Sequence, residues 1–359
     1  MSKPRIIAFY LPQFYPTPEN DRWWGKGFTE WTNVGKAKPL YRGHYQPKVP
    51  ADLGYYDLRL PIIREQQAEM AKQAGIEGFC YWHYWTNGKR MLSEVFEEVV
   101  HSRKPDFPFC LCWANHSWYK KTWSDKGKDV LLIEQTYPGK EDYEQHFEAL
   151  LPAFKDPRYM KINGKLIFGI FSPYSIPNPQ ELISIWNQLA QKNGLEGFYF
   201  FAYSSQKSKN DHYLNIGYNS VVSNLDWEYM FKKGIMLRAF NKIKRNYLKI
   251  PNLIPYKSYV EICEQTFDQN PLIMPCLLPN FDHSPRSGTK GLILKDSTPQ
   301  LWEKLCKNIF EIRSFIPHED NLIFIKAWNE WGEGNYLEPD LQYGTQYLEA
   351  LKRAISCIK

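Results

Sequence analysis

Two glutamates, Glu330 and Glu333, stand three residues apart in the motif WNEWGEG at residues 328–334. Reaction at a glycosidic bond uses such a pair: one carboxyl group is held protonated and donates to the leaving oxygen, while the other is ionised and acts as base or nucleophile. If the segment turns helically, residues i and i+3 share one side and both acids reach one cavity. The alternative is structural, with either glutamate capping nearby backbone or pairing with a cation such as Lys326.

Eight short runs rich in β-branched and aromatic residues are candidates for the strands that position this pair. They are mostly continuous apolar runs, which is typical of strands buried on both faces of a parallel sheet. The predicted strands are Arg5–Leu11, Glu77–Tyr84, Pro108–Trp113, Leu166–Ser172, Gly197–Tyr203, Ser220–Asn224, Leu272–Leu278 and Leu322–Trp328.

Amphipathic stretches separate most of these runs. The predicted helices are Leu60–Ala74, Met91–Arg103, Asp142–Phe154, Pro179–Asn193, Tyr256–Asp268, Gln300–Ile316 and Thr345–Ile358. This alternation predicts an α/β protein: a single (β/α)8 TIM barrel over residues 1–359, with long βα loops and a basic insertion at about 227–255, after strand six. The alternative is an open doubly wound sheet, which the lack of a glycine-rich phosphate loop after the first strand makes less favourable.

Tryptophan is enriched where a barrel binds its substrate. Of the 13 Trp residues, 11 follow a predicted strand or end one, and barrel active sites lie at that end. Aromatic faces suit the C–H faces of sugar rings, although long loops also need aromatic residues for their own packing. With polar residues of the same rim, the predicted substrate-binding residues are Tyr10, Gln13, Trp31, His44, Trp82, His83, Trp85, Asn87, Trp113, Asn115, His116, Trp118, Asp226, Trp328, Asn329, Trp331 and Glu338.

The net charge of +6 comes from one segment, because residues 232–249 contain seven Lys or Arg and no acid. The rest of the chain is near neutral, which argues against a nucleic-acid partner. Apolar residues lie among the cations of Lys232–Lys249, so this segment is predicted to make peripheral contact with an anionic membrane. A solvated excursion packed on the barrel is the equally weighted alternative.

Seven cysteines without a CxxC pair, and no His at zinc-ligand spacing, indicate reduced thiols and no metal site. The first apolar run, Ile6–Leu11, is too short for a signal sequence or a membrane span. We therefore expect a cytoplasmic protein, with the basic segment bringing it to the inner face of the membrane. No cofactor is expected.

The chain resembles the WbsX-type proteins of bacterial polysaccharide gene clusters, which are related to glycoside hydrolase family 99. The resemblance covers nearly the whole length and is carried by several motifs. These are AFYLPQF (8–14), GFTEW (27–31), AGIEGF (74–79), YWTNGK (84–89), WAN (113–115) and WNEWGEGNYLEPD (328–340).

The resemblance implies a barrel enzyme that retains anomeric configuration without a metal. It implies that Glu330 deprotonates a sugar 2-hydroxyl to give a 1,2-anhydro intermediate, and that Glu333 serves as acid and then base. Two positions depart from the family pattern. Gly332 replaces a bulkier residue of the hydrolases, and WANHSW (113–118) stands where WANENW is frequent.

Three functions stay open from the sequence. The family name indicates a glycosyltransferase acting on an oligosaccharide or lipid-linked glycan in O-antigen or capsule assembly. The acid pair equally fits an endo-acting glycoside hydrolase of the family-99 type. A catalytically degenerate carbohydrate-binding barrel is the non-enzymatic alternative.

Overall fold

The computed structural model describes residues 2–120, 129–224, 249–267 and 269–358. Its centre is a closed barrel of eight parallel strands, which confirms the predicted fold class. The barrel strands are β1 (Arg5–Tyr10), β2 (Gly78–Thr86), β3 (Phe109–Trp113), β4 (Lys165–Ile170), β5 (Phe198–Ser204), β6 (Ser220–Ser223), β7 (Ile273–Leu277) and β8 (Leu322–Ile325).

Every strand pairs in parallel with its neighbours in chain order, and β8 closes the barrel against β1. Ala8 on β1 is opposite Ile325 on β8, while Phe9 is opposite Cys80 on β2. An open sheet would have two edge strands, each paired on one side alone. Here β1 pairs with both β2 and β8, so the open-sheet alternative is excluded.

Helices follow the strands and surround the barrel. In chain order they are α1 (Pro61–Ala74), α2 (Glu94–Ser102), α3 (Lys140–Phe154), α4 (Pro179–Lys192), α5 (Asn210–Asn215), α6 (Tyr256–Thr266), α7 (Pro299–Ile312) and α8 (Gln346–Ser356). Helix α5 was not predicted, because its six residues are too few to show helical periodicity. The predicted β8 was three residues too long, since Lys326 already lies beyond the barrel strand.

Local sequence signals explain where several helices begin and end. The side chains of Asn178 and Thr298 accept hydrogen bonds from backbone N–H groups in the first turns of α4 and α7. At the end of α1, Gly75 adopts a φ of 90°, a left-handed conformation that favours glycine. The positions where α4 and α7 begin determine how long the loops between the preceding strands and these helices are.

The βα loops carry additional elements around the mouth of the barrel. Two short helices, Pro18–Trp24 and Glu30–Gly35, lie in the loop after β1, and a hairpin of Trp118–Lys120 with Val130–Ile133 lies in the loop after β3. The turn Ser284–Ser287 follows β7, and a hairpin of Asn329–Glu330 with Asn335–Tyr336 follows β8. These loops supply the candidate site.

Two short strands extend the barrel sheet, and a separate small sheet lies outside the barrel. Lys89–Met91 pairs with β2, and Lys161–Ile162 pairs with β4. A three-stranded sheet outside the barrel consists of Asn252–Pro255, Phe281–Asp282 and Leu292–Lys295. Across the described ranges, no helix is both long and apolar enough to cross a membrane.

Aromatic side chains fill the barrel interior. The rings of Phe9 and Trp82 stack with their centroids 4.5 Å apart, and Phe324 contacts both Phe9 and Phe201. Gly169 on β4 makes room for this packing, because a Cβ there would overlap the Phe201 ring and lie 2.7 Å from the Cys112 Sγ. The interior is a packed core, as in other barrels of this kind.

We expect Gly169→Ala to lower the free energy of unfolding by about 1–3 kcal/mol, since an extra methyl group in a filled core forces neighbours off their preferred positions. Urea unfolding followed by circular dichroism measures this change. Gly35→Ala is the matched control, because a Cβ at Gly35 meets no atom within 4 Å. Equal stability of the two variants would contradict the packing described for the interior.

Candidate active site

Glu330 and Glu333 lie together on the floor of a cavity at the carboxyl end of the strands. After β8 the chain forms the hairpin that contains Glu330 and then a single 3-10 turn, Trp331–Glu333. The side chain of Asn329 holds this segment against β1: its Oδ1 accepts from the Leu11 N–H at 2.8 Å, and its Nδ2 donates to the Leu11 carbonyl at 3.1 Å. Both acids are thereby directed into the same cavity.

Two cations bind the acids. The Lys326 Nζ lies 2.9 Å from Glu333 Oε2 and 3.4 Å from Glu330 Oε2. The Arg286 Nη1 donates to Glu333 Oε1 at 2.6 Å. Pairing with Lys326 was the structural alternative for these glutamates, and it coexists here with their position on the cavity.

A third carboxylate joins the cluster from the first loop. Glu30 Oε2 lies 3.0 Å from the Arg286 Nη2, so Arg286 connects Glu30 with Glu333. Glu30 begins its helix directly after Thr29, which forms a capping box with Thr32. Three separate parts of the chain therefore meet at one charged cluster.

The two catalytic candidates have different proton affinities. Burial raises the pKa of Glu330 to about 7, with the neighbouring Glu333 charge adding to the rise while Lys326 and the Trp82 N–H oppose it. Burial would also raise the pKa of Glu333, but Lys326 and Arg286 hold it well below the usual range. The roles implied by the resemblance give the proton to Glu333, whereas these surroundings favour the proton on Glu330.

The cavity has a volume of about 620 Å³ and aromatic walls. Its described lining combines the charged floor with rings from the loops after β1 and β3. The aromatic residues of the lining are Trp23, Trp24, Phe28, Trp82, Tyr84, His116, Trp118, Tyr119, Phe171 and His283. This composition suits a ligand with hydroxyl groups and apolar ring faces.

Six of the predicted site residues lie on this cavity: Gln13, Trp82, His116, Trp118, Glu330 and Glu333. Trp82 links wall and floor, because its Nε1 donates to Glu330 Oε1 at 2.7 Å. Gln13 donates to the Tyr84 hydroxyl at 2.5 Å. Their contact with a substrate stays a prediction.

Five other predicted residues belong to the packing behind the floor. Asn329 clamps β1, as described above, and Trp328 is fully buried against Phe79. The remaining three, Tyr10, Trp331 and Glu338, are buried in a hydrogen-bonded network outside the cavity. We reassign all five from substrate contact to support of the site.

Glu338 is the centre of that network. It accepts hydrogen bonds from the Tyr56 hydroxyl, the Gln67 Nε2 and the Trp331 Nε1. Burial raises the pKa of Glu338 to about 7. The Tyr10 hydroxyl extends the network by donating to Gln67 at 2.7 Å.

Four predicted residues lie on the outer side of β2 and β3. The Nε2 atoms of His83 and His146 are 2.8 Å apart, and Trp85 stacks on His146 at 4.7 Å. Trp113 is fully buried and donates to the Trp85 carbonyl, while Asn115 bonds to Ser172 backbone groups. Burial lowers the pKa of His83. His83, Trp85 and Trp113 are reassigned to packing between the barrel and α3, and Asn115 is reassigned to holding the chain that leaves β4.

The remaining predictions fall elsewhere. Trp31 packs on Trp331 and donates to the Tyr56 carbonyl, so it supports the first loop from outside the cavity lining. His44 donates through Nε2 to Asp282 and borders a second cavity of about 150 Å³. Asn87 is an exposed turn residue with a φ of 46°. Asp226 lies outside the described residues.

Lys326, Arg286, Glu30 and Tyr84 are cavity residues that the sequence analysis did not assign to the substrate site. Glu30 had a signal, since it lies within the GFTEW motif, and Lys326 had one because it is two residues before the WNEWGEG motif. Tyr84 had one as well, because it is two residues after Trp82 on a strand and therefore shares its face. Arg286 is 47 residues from Glu333, and nothing in the local sequence connects the two.

No set of three His, Cys, Asp or Glu side chains is arranged to hold a metal ion within the described residues. The thiols of Cys80, Cys110 and Cys112 are buried in the barrel. Burial raises their pKa values, which makes them poor metal ligands.

Fold and site together define a (β/α)8 barrel with a pair of glutamates on the floor of an aromatic-walled cavity. Residues 6–351 match the family described as Glycosyltransferase WbsX, and the chain belongs to that family.

Two curated relatives, both named uncharacterized protein WxcX, come from two strains of Xanthomonas campestris pv. campestris. Each is 33% identical over 357 residues, covering 98% of this chain but 49% of the relative. The chain thus spans about half the length of these proteins.

Solved structures with the same fold include the GH99 endo-alpha-mannosidase from Bacteroides thetaiotaomicron. One of its structures, a complex with BIS-TRIS-propane, has a TM-score of 0.54 and 15% identity, covering 99% of this chain and 96% of that chain. A glycoside hydrolase-like protein has a TM-score of 0.56 and 14% identity, covering 99% and 94%. At these identities the likeness concerns the fold.

We expect Glu338→Ala to lower the free energy of unfolding by at least about 3 kcal/mol, because it leaves three buried donors without an acceptor. Glu338→Gln keeps one acceptor oxygen and should lower the free energy of unfolding by less. Urea unfolding measures both variants, with the exposed Glu349→Ala as control. A fully stable Glu338→Ala would remove the structural role and return Glu338 to the candidate substrate contacts.

Proposed function

We propose that this protein is a metal-independent enzyme of bacterial surface-polysaccharide metabolism that acts on a glycosidic bond with retention of configuration, using Glu330 and Glu333. The observation that supports it most is the pair itself: two acids with opposite pKa displacements on the floor of one aromatic-walled cavity. A pair of carboxyl groups with separated pKa values is the equipment of glycosidic chemistry. Membership of a glycosyltransferase family is consistent with it.

The pair can move the two protons that the reaction requires. As the glycosidic C–O bond breaks, the protonated carboxyl group donates its proton to the leaving oxygen. The ionised carboxylate takes a proton from the sugar's own 2-hydroxyl, whose oxygen attacks the anomeric carbon and closes a 1,2-anhydro ring. In the second step the hydroxyl group of an acceptor, or water, attacks the anomeric carbon and opens this ring. The attacking group gives its proton to the first acid, and the second acid returns its proton to the 2-oxygen. Two inversions give net retention, and the total number of protons is unchanged.

Transfer to a sugar acceptor is our first choice of reaction, with an oligosaccharide or lipid-linked glycan as substrate. Hydrolysis by an endo-acting enzyme is the second candidate, because the same floor would serve water. A hydrolase admits water to the intermediate, whereas a transferase excludes water and admits a sugar hydroxyl. To separate the two reactions, a membrane glycolipid extract is incubated with the protein, with and without nucleotide sugars, and analysed by mass spectrometry. Longer glycan chains would indicate transfer, and shorter chains would indicate hydrolysis.

Glu330→Gln and Glu333→Gln are each expected to lower kcat by at least about 10²-fold, the low end for loss of a general acid or base. Turnover of the glycan identified by mass spectrometry measures this loss. Glu349→Gln, at an exposed position on α8, is the control and should retain activity. Near-normal turnover in either cavity variant would contradict the role of that glutamate, and absence of any turnover in the native protein would favour a degenerate carbohydrate-binding barrel.

Peripheral membrane contact through Lys232–Lys249 stays a separate proposal, since all of this segment except Lys249 lies outside the described residues. We expect the protein to bind vesicles containing an anionic lipid, and to bind them less at high salt. Sedimentation with phosphatidylcholine vesicles, with and without phosphatidylglycerol, measures this binding. Equal sedimentation of a variant with the seven Lys and Arg changed to Glu would exclude the contact.

A further inference from the structure

A side chain at Gly332, between the two acids of the motif, would displace the Glu30 carboxylate. A Cβ at this position would overlap the Glu30 Oε2 and lie 3.0 Å from the Arg286 Nε. The Glu30–Arg286 ion pair therefore occupies the space that a larger residue would fill. Neither member of that pair has a role in the proposed reaction.

Arg286 is held from two sides. Glu30 contacts its Nη2 at 3.0 Å and Glu333 contacts its Nη1 at 2.6 Å, so the planar guanidinium is bound at both of its ends. The Arg286 side chain is 25% exposed and that of Glu333 is 16% exposed, which limits the screening of their attraction by water.

The charges in the cluster do not balance if every acid is ionised. Three carboxyl groups, Glu30, Glu330 and Glu333, face two fixed cations. Glu333 contacts both cations within 2.9 Å, whereas Glu330 is 3.4 Å from Lys326 alone and otherwise accepts from an uncharged indole. The least costly place for one neutralising proton is therefore Glu330.

Other titratable groups face the pair from the neighbouring elements. Those nearest the pair are Tyr84 on β2, Tyr203 on β5, Cys276 on β7 and His283 after β7, while Lys36, His116 and Tyr119 line the same cavity. Burial raises the pKa values of Tyr84, Tyr203 and Cys276, so these three are neutral at physiological pH. His283 acts on Glu333 in the same direction as the two cations.

We propose that Arg286 is a positioning residue that fixes Glu333 as the ionised member of the pair and leaves the transferable proton on Glu330, and that Gly332 permits this by leaving space for Glu30 to hold Arg286. The inference rests on the proposed function. It reverses the roles that the resemblance implies. Glu330 would protonate the leaving oxygen, and Glu333 would accept the proton of the attacking hydroxyl group.

The Trp82 indole gives a direct readout, because its N–H donates to Glu330. The protein is labelled with 5-fluorotryptophan, and the fluorine resonance that disappears in Trp82→Phe is assigned to Trp82. Its chemical shift is then followed from pH 4.5 to 8.5. We expect a titration with a midpoint near pH 7 that Glu330→Gln abolishes.

Arg286→Gln and Glu333→Gln test the proposal by moving the titration midpoint of Glu330 in opposite directions. Arg286→Gln removes a nearby positive charge and should raise the midpoint by at least about one pH unit. Arg286→Lys should restore most of the native value. Glu333→Gln removes a negative charge while preserving shape, and it should lower the midpoint. Arg59→Gln, which breaks a surface pair with Asp57, is the matched control and should leave the midpoint unchanged.

A flat Trp82 resonance in the native protein would overturn the proposal, because Glu330 would then hold no proton in this range. So would a midpoint that neither Arg286→Gln nor Glu333→Gln displaces. If Arg286→Gln does not fold, the Glu333→Gln titration decides alone. No substrate is needed, so absence of turnover would refute the proposed function without affecting these titrations.

Discussion

The ion pairs of Arg286 and Lys326 with Glu333 are the interaction on which the site depends. They join the helix that starts at Glu30, the loop after β7 and the chain leaving β8. These side chains are half-buried, so removal of one member leaves a partly desolvated charge without its partner. The long loops at the mouth are therefore tied to the barrel by the same charges that prepare the acids for chemistry.

A second layer keeps the motif in place from behind. Asn329 binds both backbone groups of Leu11, and Glu338 accepts three donors. Neighbouring residues of the motif thus have different roles: Glu330 and Glu333 face the cavity, while Asn329 and Trp331 are buried in the packing behind it. Asn329 and Trp331 have no titratable group, and Glu338 binds the motif through Trp331 rather than through either catalytic candidate.

The sequence allowed the fold and the acid pair to be predicted, since both depend on local patterns: apolar runs, helix periodicity and two glutamates at a strand end. Assignment of the wall residues was less successful, and β2 shows why. Trp82 and Tyr84 line the cavity whereas His83 and Trp85 pack outside, as the two-residue period of a strand requires. The predicted wall residues were chosen by type and by position at the strand end, without regard to this alternation. Arg286 was beyond reach because its partner is distant in the chain.

The floor of the cavity does not distinguish transfer from hydrolysis. Both reactions need one proton delivered and one removed, and a group with a pKa near 7 serves as general acid at neutral pH in either case. The choice between water and a sugar hydroxyl must therefore be made by the walls, which exclude one nucleophile or position the other. Those walls come largely from the loops after β1 and β3, where Trp23, Trp118 and His116 lie. The segment WANHSW, which differs from the pattern that the resemblance implies, falls in the same region, so this loop is where a difference in acceptor would arise.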